Sequence, residues 1–173
     1  MPFSKPGEGF VAAGKRSIIA GFPEHATRIG MIAAEWNAIE MFLVRLLADA
    51  LETQGHIVFP MAQTITGNRL RHQVVFQGLR RLITKPPHDQ KLDALYKATT
   101  AMLSRRNTHV HSMYSDDPNE RPGILFRWDS RDLQKDDSIK TEQVELAELD
   151  VCLRDMASLK GELSDFIDAK PWK

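Results

Sequence analysis

Residues 35–47 read EWNAIEMFLVRLL, and this stretch decides the fold because its apolar residues recur at steps of three and four. That spacing places them on one face of an α-helix. The repeat extends in both directions, so we predict a helix from about residue 24 to residue 53, with Gly55 as its stop. The predicted apolar face comprises Ile29, Ile32, Trp36, Ile39, Leu43, Leu46, Leu47 and Ala50. A helix of about 30 residues, about 45 Å long, is typical of a bundle.

Three further stretches have the same periodicity. Residues 61–84 predict a second helix with a break at residues 66–68, where Asn68 would cap the part that follows. A third helix is predicted from residue 88 or 89 to about residue 112, and a fourth over residues 146–167. Four amphipathic helices with mostly short links favour an up-and-down four-helix bundle, an all-α fold.

The links and ends of the chain complete the predicted organisation. Residues 124–128 alternate apolar and polar side chains and predict a strand, whose partner around residues 139–144 would complete a small β-hairpin between the third and fourth helices. We therefore predict an irregular N-terminal arm over residues 1–23, one helical bundle domain over residues 24–168 and a C-terminal tail over residues 169–173.

Composition limits the class of protein. The chain has 173 residues, of which 42% are hydrophobic and 27% charged, as in a soluble globular domain. A single cysteine, Cys152, excludes a disulfide framework, and its place on the apolar stripe of the fourth helix predicts a core thiol. No apolar run is long enough for a transmembrane helix or a secretory signal. We expect a cytoplasmic protein that does not contact a membrane.

Charge is unevenly distributed although the formal net charge is zero. Residues 1–60 carry a net charge of −1, residues 61–112 carry +7 and residues 113–173 carry −6. The basic middle third favours an anionic ligand. Two oppositely charged faces that pack or dimerise explain the pattern equally well, so both interpretations stay open at this point.

One segment, SRRNTHVHSMY at residues 104–114, breaks the apolar pattern of the third helix. Arg106 follows Met102 by four residues and Leu103 by three, which places a guanidinium on the inner face. A buried arginine requires a carboxylate, a phosphate or water as partner. Glu40 lies beside the apolar face of the first helix and is a candidate ion-pair partner; the alternative is a solvated Glu40 at the edge of that face.

Histidines follow Arg106 within one and a half turns. On a continuous helix Arg106 and His111 lie about 140° apart, so they face one ligand only if the helix ends or a second subunit completes the site. Asn107 and His111 are four residues apart and share a face. His109 and His111 lie about 200° apart and cannot bind one metal ion, so no metal or cofactor is expected.

An arginine and a histidine suffice for metal-independent RNA cleavage. The histidine moves a proton to or from the reacting oxygens, and the arginine stabilises the charge that develops on the phosphorus oxygens. From these residues alone, surface histidines at a helix end are the simpler interpretation.

The segment Arg106-Asn107-Thr108-His109-Val110-His111 resembles the signature of HEPN domains, the prokaryotic and eukaryotic nucleotide-binding superfamily. In that signature four residues separate the arginine from the histidine, and a polar residue, often Asn, follows the arginine. The Trp36-x-x-x-Glu40 pattern of the first helix also resembles the opening helix of such proteins. The resemblance covers roughly residues 24–168.

The resemblance implies a homodimer whose two motifs meet at the interface. It implies a metal-independent ribonuclease of the toxin or phage-defence type, with RNA as substrate and a protein antitoxin as a further partner. Arg106 and His111 are then catalytic, Asn107 supports them, and Glu40 orients Arg106. His109 is not expected to be catalytic.

Five arginines before and within the motif are candidates to contact the RNA backbone. They are Arg69, Arg71, Arg80, Arg81 and Arg105. The alternative is a solvated helix face. Phe76, Tyr96 and Tyr114 are available to stack on bases, although Phe76 is equally compatible with the core.

Two other functions fit the same residues. One is a non-catalytic HEPN-like domain that binds RNA, a nucleotide or a protein partner. The other is a structural bundle in which an Arg106–Glu40 pair fixes the packing of two helices.

Overall fold

The computed structural model describes residues 18–65, 67–116, 124–128 and 141–172. Within these ranges the chain is mainly helical, which confirms the predicted helical fold. The α-helices of the described ranges are α1 Pro23–Ala50, α2 Gly55–Gln63, α3 Asn68–Leu82, α4 His88–His111 and α5 Leu146–Ala169. A short 3-10 helix at Ile18–Gly21 precedes α1, and the first 17 residues of the predicted arm lie outside the described ranges.

The predicted stop of the first helix at Gly55 is wrong. α1 ends at Ala50, and Gly55 is the first residue of α2. Glu52 lies between the two helices with φ of 50°, outside the right-handed helical region, so the chain turns there. α2 was not predicted in full because Pro60 lies inside it, and proline is rare within helices.

The predicted break at residues 66–68 is confirmed, since α2 ends at Gln63 and α3 begins at Asn68. The cap is different from the one expected. Gly67 occupies the position before the first helical residue, with φ of 90°, and no side chain donates or accepts a capping hydrogen bond there. Glycine is suited to this backbone conformation because it has no Cβ.

α1 is the central helix, since it packs along α5 and also contacts α2, α3 and α4. The predicted apolar face of α1 is confirmed for six of its eight residues, and Ile29 and Leu47 are half-buried at its edges. Cys152 of α5 is fully buried in the same core, and burial raises the pKa of its thiol. The six buried residues of that predicted face are Ile32, Trp36, Ile39, Leu43, Leu46 and Ala50.

A small antiparallel sheet connects α4 to α5. Its strands are β1 Met113–Asp116, β2 Leu125–Trp128 and β3 Glu142–Gln143, in the order β1-β2-β3. The predicted pairing of residues 124–128 with the region before the last helix is confirmed by Phe126 opposite Gln143. β1 was not predicted; it begins two residues after α4 ends and pairs Tyr114 with Arg127.

Two described residues of the predicted tail belong to the domain. α5 continues to Ala169, the first residue of that tail, and Trp172 packs, half-buried, against the core. Within the described ranges, no helix is long and apolar enough to cross a lipid bilayer.

Candidate functional site at the end of α4

The three predicted catalytic residues lie together in the last two turns of α4. Nη1 of Arg106 donates a hydrogen bond to Nε2 of His111 at 2.7 Å. The same Nη1 donates to Oδ1 of Asn107 at 3.0 Å. The structure therefore brings Arg106, Asn107 and His111 into direct contact.

This contact differs from the expectation drawn from helical geometry. α4 is continuous through His111, and the two residues start about 140° apart around the helix. The angle describes where each Cβ begins, whereas the arginine side chain is long enough to extend around the helix to the imidazole. The guanidinium of Arg106 and the imidazole of His111 therefore meet within one chain, although the helix does not end between the two residues.

The hydrogen bond also fixes the protonation pattern of the neutral imidazole. A guanidinium has no acceptor, so Nε2 of His111 accepts from Arg106. When neutral, His111 then carries its proton on Nδ1. The single lone pair of the unprotonated Nε2 accepts from Arg106, so Nε2 can take a proton from a substrate only when the guanidinium turns away from it.

Arg106 is half-buried whereas Asn107 and His111 are exposed. Nε of Arg106 is buried and has no hydrogen-bond partner among the described residues. Burial lowers the pKa of Arg106, and the charge of Glu40 acts in the opposite direction. An arginine stays protonated at neutral pH in either case, so the site carries one fixed positive charge.

The partner of Glu40 is Arg71, which corrects the expected pair of Glu40 with Arg106. Oε2 of Glu40 accepts from Nη1 of Arg71 at 3.2 Å, and Oε1 accepts from Nε1 of Trp36 at 3.1 Å. His72 is buried, with its Nε2 3.8 Å from Oε1. Burial alone raises the pKa of Glu40, but its interactions with His72, Trp36 and Arg71 outweigh burial and hold that pKa below its ordinary value.

Arg71 is mostly buried, which fits neither an arginine that contacts an RNA backbone nor the alternative of a solvated helix face. Only 12% of its side chain is exposed. Besides its bond to Glu40, it donates to the carbonyl oxygens of Ala62 at 3.0 Å and Ile65 at 3.3 Å. These carbonyls lie at and just beyond the end of α2, where backbone oxygens can accept hydrogen bonds from side chains. Arg71 therefore ties α2, α3 and α1 together next to the motif.

The other four arginines predicted to contact RNA form two groups, two that pair with carboxylates and two that are exposed. Arg80 pairs with Asp93 at 2.8 Å, and its guanidinium carbon lies 4.9 Å from the centre of the Tyr96 ring. Arg105 pairs with Asp155 of α5. The remaining two, Arg69 and Arg81, are exposed, and neither forms an ion pair with another described residue.

The aromatic residues predicted to stack on bases have other contacts. Phe76 is fully buried, and its ring centre lies 5.1 Å from that of Tyr96. The hydroxyl of Tyr114 donates to the backbone oxygen of His109, and the side chain is half-buried. Phe76 is therefore a core residue, as the alternative interpretation allowed, and Tyr114 supports the end of α4.

His109 belongs to the core and not to the exposed motif. Its side chain is 2% exposed, and its Nδ1 lies 3.1 Å from Nη1 of Arg127. Burial, followed by the positive charge of Arg127, lowers its pKa. Across the described ranges, no three histidine, cysteine or acidic side chains lie close enough together to hold a metal ion.

Comparison of the chain with family models, with curated proteins and with solved structures finds no match.

Proposed function

We propose that this protein is a metal-independent endoribonuclease of the HEPN type. The observation that carries the proposal is the 2.7 Å contact between Nη1 of Arg106 and Nε2 of His111. It joins a fixed positive charge to an imidazole, a general acid–base group, at an exposed helix end. Asn107 keeps the guanidinium in place through its Oδ1.

The chemistry follows from these groups. A phosphate that enters beside Arg106 accepts hydrogen bonds from the guanidinium through its non-bridging oxygens. As the guanidinium turns from the imidazole to the phosphate, Nε2 of His111 is released and takes the proton of the adjacent 2′-hydroxyl while the O2′–P bond forms. The P–O5′ bond breaks, and the leaving oxygen takes a proton from a second acid. The products are a 2′,3′-cyclic phosphate and a 5′-hydroxyl, and Arg106 stabilises the charge of the pentacoordinate state.

A homodimer provides the second acid. One motif supplies one exposed histidine, whereas the reaction needs a base and an acid at the same phosphate. Two copies related by a two-fold axis place a second His111 there. In this proposal α1, α3, α4 and α5 form the up-and-down four-helix arrangement of the family, and α2 is an additional short helix.

The biological role proposed with this activity is that of a toxin or phage-defence nuclease. RNA is the substrate, and a protein antitoxin holds the activity in check. A cytoplasmic location agrees with that substrate and with the one reduced, buried thiol of Cys152.

The test is cleavage of total RNA by the purified protein in the presence of EDTA, with assay of the products for 2′,3′-cyclic phosphate. Arg106→Ala and His111→Ala are each expected to lose activity by about a hundredfold or more, the usual effect of removing one group that acts on the transition state. Arg154→Ala and His56→Ala are matched controls, since both residues are exposed and lie outside the motif. Cleavage that survives in both motif variants overturns the assignment.

A second candidate is a HEPN-like domain that binds without turnover. It is favoured by the engagement of Arg71, Arg80 and Arg105 with carboxylates, which leaves less positive charge for a long RNA backbone. Absence of cleavage by the wild-type protein selects this candidate. Binding assays at two salt concentrations then separate the ligands, because affinity for RNA falls steeply with salt.

A further inference from the structure

Glu40 forms an ion pair with one arginine and acts on a second one only through its charge. Its carboxylate forms an ion pair with Arg71 of α3 at 3.2 Å. Its charge also acts on Arg106 of α4, but no ion pair joins these two residues. α1, which carries Glu40, packs against both α3, which carries Arg71, and α4, which carries Arg106.

Arg71 is held in that pair by more than the carboxylate. Two backbone carbonyls, of Ala62 and Ile65, accept from its Nε and Nη2, while Nη1 donates to Glu40. A half-buried carboxylate without a counter-charge is costly. Without Arg71, the guanidinium of Arg106 becomes the available counter-charge for Glu40.

The contacts of the Arg106 side chain agree with the absence of an ion pair between Arg106 and Glu40. Its Nε is buried without a hydrogen-bond partner among the described residues, while Nη1 reaches outward to His111 and Asn107. A guanidinium drawn to Glu40 would turn away from the helix end. It would then release Nε2 of His111.

We propose that Arg71 is a positioning residue, which neutralises Glu40 and thereby leaves Arg106 free to point at His111 and at a phosphate. This inference rests on the proposed roles of Arg106 and His111. It reverses the role expected for Glu40, because a carboxylate that orients Arg106 directly would be needed for activity. In the present proposal the carboxylate of Glu40 competes for the guanidinium of Arg106, and its ion pair with Arg71 prevents that competition.

The direct readout is the tautomer of His111, measured by imidazole ¹⁵N NMR at a pH where the ring is neutral. In the wild-type protein the proton is on Nδ1, because Nε2 accepts from Arg106. This readout needs no RNA and no catalysis. If the wild-type protein fails to cleave RNA, the proposed function fails while the positioning role of Arg71 is still decided.

Three variants form the experiment. Glu40→Gln keeps the acceptor for Trp36 and removes the competing charge, so the tautomer stays on Nδ1 and the cleavage rate changes by less than about threefold. Arg71→Met lets Glu40 capture Arg106, so the proton shifts towards Nε2 and kcat falls by about tenfold or more, with a smaller change in KM. Glu40→Gln combined with Arg71→Met restores both properties.

Arg45→Met is the matched control, since Arg45 also pairs with a carboxylate of α1, that of Asp49. It is expected to leave the tautomer of His111 unchanged. Arg71→Gln, whose amide still donates to a carbonyl, replaces Arg71→Met if the latter does not fold. If neither folds alone, the double variant must fold and keep the Nδ1 tautomer.

The proposal is overturned by a tautomer shift in Glu40→Gln, which would show that Glu40 holds Arg106 in place. It is also overturned by an unchanged tautomer in a folded Arg71→Met or Arg71→Gln protein. A double variant that folds but loses the Nδ1 tautomer has the same meaning, because removal of the competitor then fails to free Arg106.

Discussion

Nη1 of Arg127 lies 3.1 Å from Nδ1 of His109, and both side chains are buried. Because a guanidinium only donates, Nδ1 accepts, and the neutral ring carries its proton on Nε2, 3.8 Å from Oε1 of Glu148. Arg127 also binds the carboxylates of Glu142 and Glu148. This cluster connects β2 to α5 and to the last turn of α4, which carries the candidate site.

His109 makes the stability of the protein depend on pH. Burial and the charge of Arg127 place its pKa in the folded protein below the ordinary value of 6.5. The unfolded chain therefore binds a proton first as the pH falls. Stability from the neutral ring is complete above about pH 6.5 and declines below it, by at most about 1.4 kcal/mol per pH unit, until the folded pKa is reached.

The measurement is urea unfolding of wild-type protein and of His109→Gln at several pH values between about 5 and 8. Glutamine does not titrate, so the free energy of unfolding of the His109→Gln protein is expected to fall less steeply towards acid pH than that of the wild-type protein. Both proteins share the other titrating groups. The contributions of those groups therefore cancel when the two slopes are subtracted, and the contribution of His109 is left. Parallel curves would show that His109 has the same pKa in the folded and unfolded chains.

Tyr114 holds the end of α4 from β1. Its hydroxyl donates to the backbone oxygen of His109, one of the last carbonyls of the helix, which have no partner within it. Tyr114→Phe removes that bond and is expected to lower the free energy of unfolding by about 1 kcal/mol. Denaturant unfolding of the two proteins at neutral pH measures the difference.

The same residue has a spectroscopic signature. Burial raises the pKa of Tyr114 to about 12. An ultraviolet absorbance titration of the folded protein is therefore expected to show one tyrosine that ionises near that pH, and Tyr114→Phe is expected to lack this step. Ionisation of both tyrosines near pH 10 in the folded protein would contradict the burial of the hydroxyl.

The helices were predictable where an apolar repeat runs without interruption. The apolar faces of α1 and α5 follow directly from steps of three and four, because burial of one face is what stabilises them. The helix α2 was not predictable, because Pro60 interrupts the helical pattern and the helix has no Asp, Glu, Lys or Arg residue to indicate a solvated face. β1 escaped prediction because four residues directly after a helix are too few to establish an alternating pattern.

The candidate site was predictable in its members and not in its contacts. The order of Arg106 and His111 in the chain identified them, but a helical wheel gives the direction of a side chain and not its reach. The burial of Arg71 depends on carbonyls that become available only where α2 ends, near Ala62 and Ile65. The break at residues 66–68 was predictable, so the carbonyl groups at a helix end close to an arginine were a signal for this contact.

Gly67 and Gly30 predict opposite effects of the same substitution. Gly67 has φ of 90°, and an added Cβ meets no atom within 4 Å, so Gly67→Ala acts through backbone strain alone. A loss of about 1 kcal/mol is expected. Gly30 lies within α1 with equally open space, so Gly30→Ala is expected to stabilise by about 0.5–1 kcal/mol. Denaturant midpoints compare both with wild type, and a stabilising Gly67→Ala would contradict the positive φ.

The ion pair between Arg80 and Asp93 tests whether α3 contacts RNA. Oδ1 of Asp93 lies 2.8 Å from Nη2 of Arg80, and both side chains reach solvent, with 34% and 54% of their surfaces exposed. Asp93→Asn removes the local counter-charge and leaves Arg80 to a phosphate. If RNA follows this helix, affinity rises and the dependence of log affinity on log salt concentration steepens by up to about one.

Any loss of an acidic charge raises affinity for RNA to some extent, so the effect of Asp93→Asn must be compared with a matched variant. Asp49→Asn removes the same charge from an aspartate that pairs with Arg45 of α1, outside the predicted RNA-binding set. Both variants are titrated with the same single-stranded RNA at several salt concentrations. A larger gain and a steeper salt dependence for Asp93→Asn place RNA beside α3, whereas equal changes in the two variants mean that Arg80 serves the fold and not the ligand, because only the long-range charge then matters.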